Sequence, residues 1–132
     1  MNEEQIFASV GKEGITKMVA AFYKKVPTDD ILGPMYPKDD MDGGEERLRD
    51  FLLFRIGGDT AYTEKRGHPR LRMRHVPFHI DSRARDRWMK LMDEAMVEAE
   101  IPTDAAKAMS TFFYGVADFL RNAPDNSGPF KI

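Results

Sequence analysis

The sequence predicts an all-helical domain, on three observations. Apolar residues recur at helical spacing in several separate stretches. Glycine pairs and prolines punctuate the chain between them. No run alternates polar and apolar residues as a half-buried strand does, and no fixed-period repeat or low-complexity tract is present.

The elements follow in order. Glu3 to Val10 forms a short helix stopped by Gly11 and Gly14. A second helix carries Ile15, Met18, Val19, Phe22, Tyr23 and Val26 on one face and ends at Pro27. Tyr23 brings a hydroxyl to an apolar stripe, where a buried phenol needs a partner, either a backbone carbonyl or a ligand. Thr28-Asp29-Asp30 reads as the cap of a turn through Ile31 and Leu32, broken by Gly33-Pro34. Met35-Tyr36-Pro37 is then an apolar insert in a loop, with Tyr36 turned inward by the flanking prolines.

The next helix starts near Gly43-Gly44 and presents Leu48, Phe51, Leu52 and Ile56, with Arg47 and Arg55 as polar members. Gly44 leaves space beside its backbone, Gly57-Gly58 ends the helix, and Asp59 to Gly67 reads as a loop containing Tyr62. Asp81-Ser82 opens a helix of some 18 residues, roughly 27 Å long, marked by Trp88, Leu91, Met92, Ala95, Met96 and Ala99. Trp88 is either a core anchor or an indole N–H aimed at a ligand. Pro102-Thr103-Asp104 starts the last helix, whose face is Ala105, Met109, Phe112, Val116 and Phe119, with Phe113 and Leu120 beside it. The domain is expected to span residues 1–122, leaving 123–132 as a mobile tail.

Composition narrows the function. A chain of 132 residues is long enough for one domain with its own core. With 20 basic and 22 acidic residues the net charge is −2, so no global field holds nucleic acid or an anionic membrane. The absence of cysteine rules out disulfides, a thiolate nucleophile and Cys-based zinc or iron–sulfur sites. No apolar run approaches the roughly 20 residues that span a bilayer, and the start has no basic-then-apolar leader, so a soluble, cytoplasmic protein is expected.

The chemistry concentrates between Arg66 and Ile80, which holds all three histidines. His75 and His79 are four apart, a spacing that suits zinc on a helix, but Pro77 interrupts that helix at about Val76. His75 is thus the last side chain of a short helix, with Leu71, Met73, Val76, Phe78 and Ile80 around it. A histidine so placed can ligate a large apolar group that carries its own metal, and haem fits that description. Arg66, Arg70, Arg72 and Arg74, with no acidic residue between Glu64 and Asp81, could pair with its propionates. Each feature also has a plainer reading: a structural histidine, and a solvated basic face or nucleic-acid patch.

Gly57-Gly58, Tyr62, Arg66-Gly67-His68-Pro69, Leu71-Arg72, Arg74-His75 and Pro77-Phe78 together resemble the signature of group II truncated haemoglobins. The likeness extends over about residues 5 to 122 and takes in Phe22-Tyr23, Tyr36-Pro37, Glu46-Arg47-Leu48 and Trp88 in order. It implies a two-over-two helical sandwich around haem b, with His75 as the proximal iron ligand and Tyr23, Tyr36 and Trp88 around the distal ligand. Gly44 matches the place where many globins put a distal histidine, and Leu48 belongs to the same side. Arg47, Tyr62, His68 and Arg74 are implied propionate partners; Phe51, Leu52, Leu71, Val76, Phe78, Ile80 and Met92 would line the haem with Leu48. Two departures stand out: the glycines after the first helix are spaced Gly11-Lys12-Glu13-Gly14, and the tail beyond Asn122 has no counterpart.

The resemblance implies binding of O₂, CO and NO. An O₂ molecule at iron carries partial negative charge, and donors on Tyr23, Tyr36 and Trp88 would each contribute about 1.5–3 kcal/mol. Every 1.4 kcal/mol is tenfold, so tight binding with slow release is expected, which suits reaction at the ligand better than bulk transport. A haem redox enzyme acting on nitric oxide or peroxide, with a reductase as partner, is the alternative. A haem-free helical module that grips phosphate or a protein through its arginines is a third reading. The oligomeric state is left open.

Overall fold

The structure, a computed structural model, describes residues 1–125, without the side chains of Ala61 and Tyr62. Its helices are α1 (Glu3–Lys25), α2 (Met41–Arg55), α3 (Ala61–Arg66), α4 (Leu71–His75), α5 (Ser82–Glu98) and α6 (Thr103–Phe119). Among the described residues there is no strand, and no helix is long and apolar enough to cross a membrane. α1 packs on α2, α5 packs on α6, and α1 joins the two pairs by touching both members of the second.

Asn2 starts α1 with a reciprocal cap: its side chain accepts the Gln5 N–H at 2.8 Å, and the Gln5 side chain accepts the Asn2 N–H at 2.9 Å. Gly11 breaks the helix where the sequence expected a stop, at φ 70° and ψ 173°, which suits glycine. The second half runs on to Lys25 and buries Ile15, Met18, Val19 and Phe22 completely. These meet Leu52 and Leu53 of α2, Met92, Ala95 and Met96 of α5, and Met109 and Phe113 of α6 in one core. Each fully buried large side chain contributes about 1.5–3 kcal/mol relative to exposure, so this apolar face, rather than helix propensity, fixes the pairs.

A run of 3₁₀ turns (Val26–Thr28, Gly33–Met35 and Lys38–Asp40) joins α1 to α2. Asp29 organises it as the expected cap. Its carboxylate accepts the N–H groups of Ile31 at 3.0 Å and Leu32 at 2.8 Å and pairs with Arg87 of α5 at 2.6 Å. Burial of this carboxyl raises its pKa, but those donors outweigh burial and hold it below the usual range.

The stretch Asp59 to Gly67, expected as a loop, contains α3. Polar composition concealed it: the Thr60 carbonyl accepts the Glu64 N–H at 3.0 Å and the Thr63 hydroxyl at 3.0 Å, and Gly67 ends the helix at φ 75°. Arg66 then anchors the helix to α2 through Asp50 at 2.8 Å and Glu46 at 3.3 Å.

α4 ends at His75, as Pro77 demands, and Asp81 caps α5 by accepting the Ala84 N–H at 2.9 Å. Of the expected tail, Ala123 donates its N–H to the Ile80 carbonyl at 3.1 Å and Asp125 accepts the Ser82 N–H at 3.0 Å. Residues 126–132 lie outside the described residues.

Candidate functional site

A cavity of about 390 Å³ lies among α1, α2, α4, α5 and α6, a volume typical of small-molecule and cofactor sites. Thirteen of the residues singled out in the sequence border it: Tyr23, Tyr36, Gly44, Arg47, Leu48, Phe51, Leu52, Leu71, Arg74, His75, Phe78, Ile80 and Trp88. The wall is mainly hydrocarbon and aromatic, with a few polar tips.

His75 reaches the cavity from the last turn of α4. Its Nδ1 lies 2.6 Å from the Leu71 carbonyl oxygen. A carbonyl only accepts, so Nδ1 carries the proton and the neutral ring keeps its lone pair on Nε2. The Phe78 ring sits beside the imidazole, centroids 6.3 Å apart at 60°.

Tyr23, Tyr36 and Trp88 form an aromatic cluster in the same wall. The Tyr23 and Tyr36 rings meet edge to face at 5.7 Å, and Trp88 packs on Phe22 at 5.1 Å and Phe113 at 5.5 Å. Burial, reinforced by the nearby Tyr36, pushes the Tyr23 phenol well above the usual range. Burial also pushes Tyr36 up to about 12, while the Trp88 N–H, donating to the Tyr36 hydroxyl oxygen, offsets part of the effect. Both phenols therefore stay protonated near neutral pH and keep an O–H to donate. A Cβ on Gly44 would meet the Tyr23 hydroxyl oxygen at 2.9 Å and Cε1 at 3.1 Å, so the missing side chain is what lets this ring lie against α2.

Comparison with known proteins decides the family: the family model for bacterial-like globin matches residues 5–122. The chain belongs to that family. Group 2 truncated hemoglobin YjbI of Bacillus subtilis (strain 168) is 36% identical over 90 residues, 68% of this chain and 67% of that protein. Among solved structures, the group II truncated hemoglobin of Bacillus anthracis superposes with a TM-score of 0.87 at 30% identity, covering 93% of this chain and 95% of that one. A thermostable hemoglobin from the actinobacterium Thermobifida fusca does so at 0.84 and 39% identity, covering 91% and 98%. The all-helical truncated globin fold is thereby established.

Globins hold haem, and the cavity of this globin fits it. Among the described residues no three His, Asp or Glu side chains come together as a cage for a bare metal ion. A single unprotonated Nε2 in an apolar cleft suits an iron that arrives with its other ligands already in a ring. Among the described residues no buried side-chain nitrogen or oxygen lacks a partner.

Arginines mark the polar margin of the globin cavity. Arg47 pairs with Asp40 at 2.6 Å, and Arg74 donates to the Arg66 carbonyl at 3.3 Å. Arg85, not anticipated from the sequence, also borders the cavity, held by Asp118 at 2.7 Å and Asp86 at 2.9 Å.

Four expected contacts fall elsewhere. His68 is exposed and accepts the Arg70 N–H on Nδ1 at 3.2 Å. Arg72 lies over the Phe119 ring at 5.2 Å. Val76 is 67% exposed, and Met92 is sealed in the core at 0%. Position on a short helix end turns Val76 outward, and one helical turn beyond Trp88 takes Met92 past the cavity. Tyr62 lies on α3, but its side chain is outside the described residues. The sequence reading missed Met35, Met41, Ala84 and Arg85 as cavity residues, and placed Phe112, Val116 and Leu120 of α6 on or beside an apolar helix face without assigning them to a site.

Proposed function

We propose that this globin holds haem b through His75 and binds O₂, with CO and NO as further ligands, beside Tyr23, Tyr36 and Trp88. The observation that carries the reading is the engaged Nδ1 of His75, which leaves Nε2 as the free ring nitrogen in a cleft that also holds the Tyr23 and Tyr36 hydroxyls. When bound, haem would supply a ferrous iron able to take a diatomic ligand.

The chain supplies the rest. The Leu71 carbonyl fixes the His75 tautomer and the orientation of its ring, as hydrogen-bonded partners of metal ligands do. Leu48, Phe51, Leu71 and Phe78 keep water from the cavity and present hydrocarbon to the porphyrin. Arg47 and Arg74 are the candidates for its carboxylates, Arg47 by exchanging part of its hold on Asp40. Tyr23 and Tyr36, kept protonated, would offer their O–H groups to a partly negative molecule bound in the cavity, and Trp88, whose single N–H donates to the Tyr36 oxygen, would steady Tyr36. Donors in a dry site that are already oriented favour slow escape of the ligand.

The test is the absorption spectrum of the reduced protein with and without O₂ and carbon monoxide. A Soret band that shifts with each gas is the expected result. A colourless protein that cannot take up hemin overturns the reading.

A further inference from the structure

We infer that Asn122 is a positioning residue for His75, fixing the turn that carries the iron ligand against the end of α6. The inference rests on His75 being that ligand, as proposed above.

α4 has five residues and none of them is buried. A single turn of helix has no stability of its own, and no core side chain pins this one, so its place must come from outside it. Arg74 reaches back to the Arg66 carbonyl at 3.3 Å and Arg72 lies over the Phe119 ring, while the hydrogen bonds at the histidine end of the helix converge on one side chain. Asn122 Nδ2 donates to the His75 carbonyl at 3.1 Å and to the Phe78 carbonyl at 2.8 Å. Its Oδ1 accepts the Ile80 N–H at 2.9 Å, while its own backbone N–H donates to the Ile80 carbonyl at 2.9 Å. The amide thus spends both donor hydrogens and its acceptor on residues 75, 78 and 80. The His75 carbonyl accepts a second bond, from the Phe78 N–H at 3.0 Å, which closes the turn around Pro77.

The consequence is directional. The histidine ring leaves a backbone whose orientation is set by Asn122 on one side and whose ring is set by Leu71 on the other. Loosening the first lets the imidazole tilt while the Leu71 bond survives. Asn122 does not border the cavity, so its effect reaches the iron through the position of His75.

The experiment uses the full-length protein loaded with hemin. Asn122→Ala removes all three side-chain bonds; Asn122→Asp keeps the acceptor for Ile80 but turns an oxygen toward the two carbonyls. Both variants are expected to release hemin about 10–100-fold faster, the usual cost of losing an outer partner of a metal ligand. Both should also shift or broaden the iron–histidine stretching band of the reduced, ligand-free protein in resonance Raman spectra. A lower melting temperature with that band and the hemin release rate unchanged overturns the proposal, because a merely structural staple would behave so. Failure of both variants to fold overturns it too, since it would make Asn122 a support for the whole domain. His75→Gly is the control: if it retains hemin as the parent does, the ligand assignment fails first, whatever the Asn122 variants do.

Discussion

The Tyr23 hydroxyl oxygen lies 2.9 Å from the point where a Cβ on Gly44 would stand. No ordinary side chain fits that gap without moving the ring, so α2 and the phenol of α1 are matched at this contact. Gly44→Ala is expected to push Tyr23 aside and cost about 1–3 kcal/mol of stability by overpacking. If Tyr23 donates to the ligand, O₂ release should speed up about tenfold or more, one lost donor being worth about 1.5–3 kcal/mol. Stopped-flow release rates decide it, and release at the parent rate in a destabilised variant would remove Tyr23 from ligand binding.

Trp88→Phe separates ring from N–H. The indole packs on Phe22 and Phe113, and a phenyl ring retains much of that contact. It cannot donate to Tyr36. The expected outcome is faster O₂ release with a small change in melting temperature, and a further rise in the Tyr36 pKa, because the donor that lowers it is gone. Adding Tyr23→Phe should speed release again. Parent-like release in the double variant would leave the cluster a packing feature only.

Much of this site was legible because its chemistry is local. His75 at a helix end before Pro77, and Gly44 near a helix start with space beside its backbone, are readable from neighbours in the chain. What periodicity cannot say is which apolar face meets a cavity and which meets another helix. Phe112, Val116 and Leu120 share a face with core residue Met109, yet they border the cleft; Met92 follows Trp88 by one turn and is sealed away. Arg85 carries no signal in the sequence, and only the fold brings Asp118, thirty-three residues on, to hold it beside the cavity. α3 was hidden for a related reason: its anchor, Arg66 on Asp50, is a tertiary contact rather than an apolar stripe.

His75→Gly tests the coordinate bond. The fold around it does not depend on the ring, since α4 buries no residue. The apoprotein should therefore keep its helical content, measured by circular dichroism, while losing stable hemin retention. Added imidazole, entering the space vacated by the side chain, should restore the absorption band. Full retention without imidazole would sink the assignment.

Acid should loosen the α2–α3 join. Burial of Asp50 raises its carboxyl pKa, but Arg66 and Arg49 outweigh burial and hold it below the usual value. A depressed pKa contributes stability that is present above the unfolded value of about 3.9 and is lost as pH falls through the folded one. Asp50→Asn should lower the melting temperature at neutral pH and reduce the further loss on acidification below about pH 4. An unchanged acid limb in the variant would show that Asp50 does not carry it.

The two phenols give the opposite limb. A Tyr36 pKa raised to about 12 means the folded protein holds a proton that the unfolded chain, with a phenol near 10, gives up. Stability from this source is complete below about pH 10 and declines as pH rises toward 12, with Tyr23 adding a loss in the same direction. Neutral phenols are also the donors, so O₂ release should stay flat across the neutral range and quicken only on that alkaline limb. Tyr36→Phe should shallow the decline in melting temperature, and ultraviolet titration of the parent should find two late-ionising tyrosines. A release rate that already climbs between pH 7 and 9, about where neither phenol ionises, would mean that some other group governs the ligand.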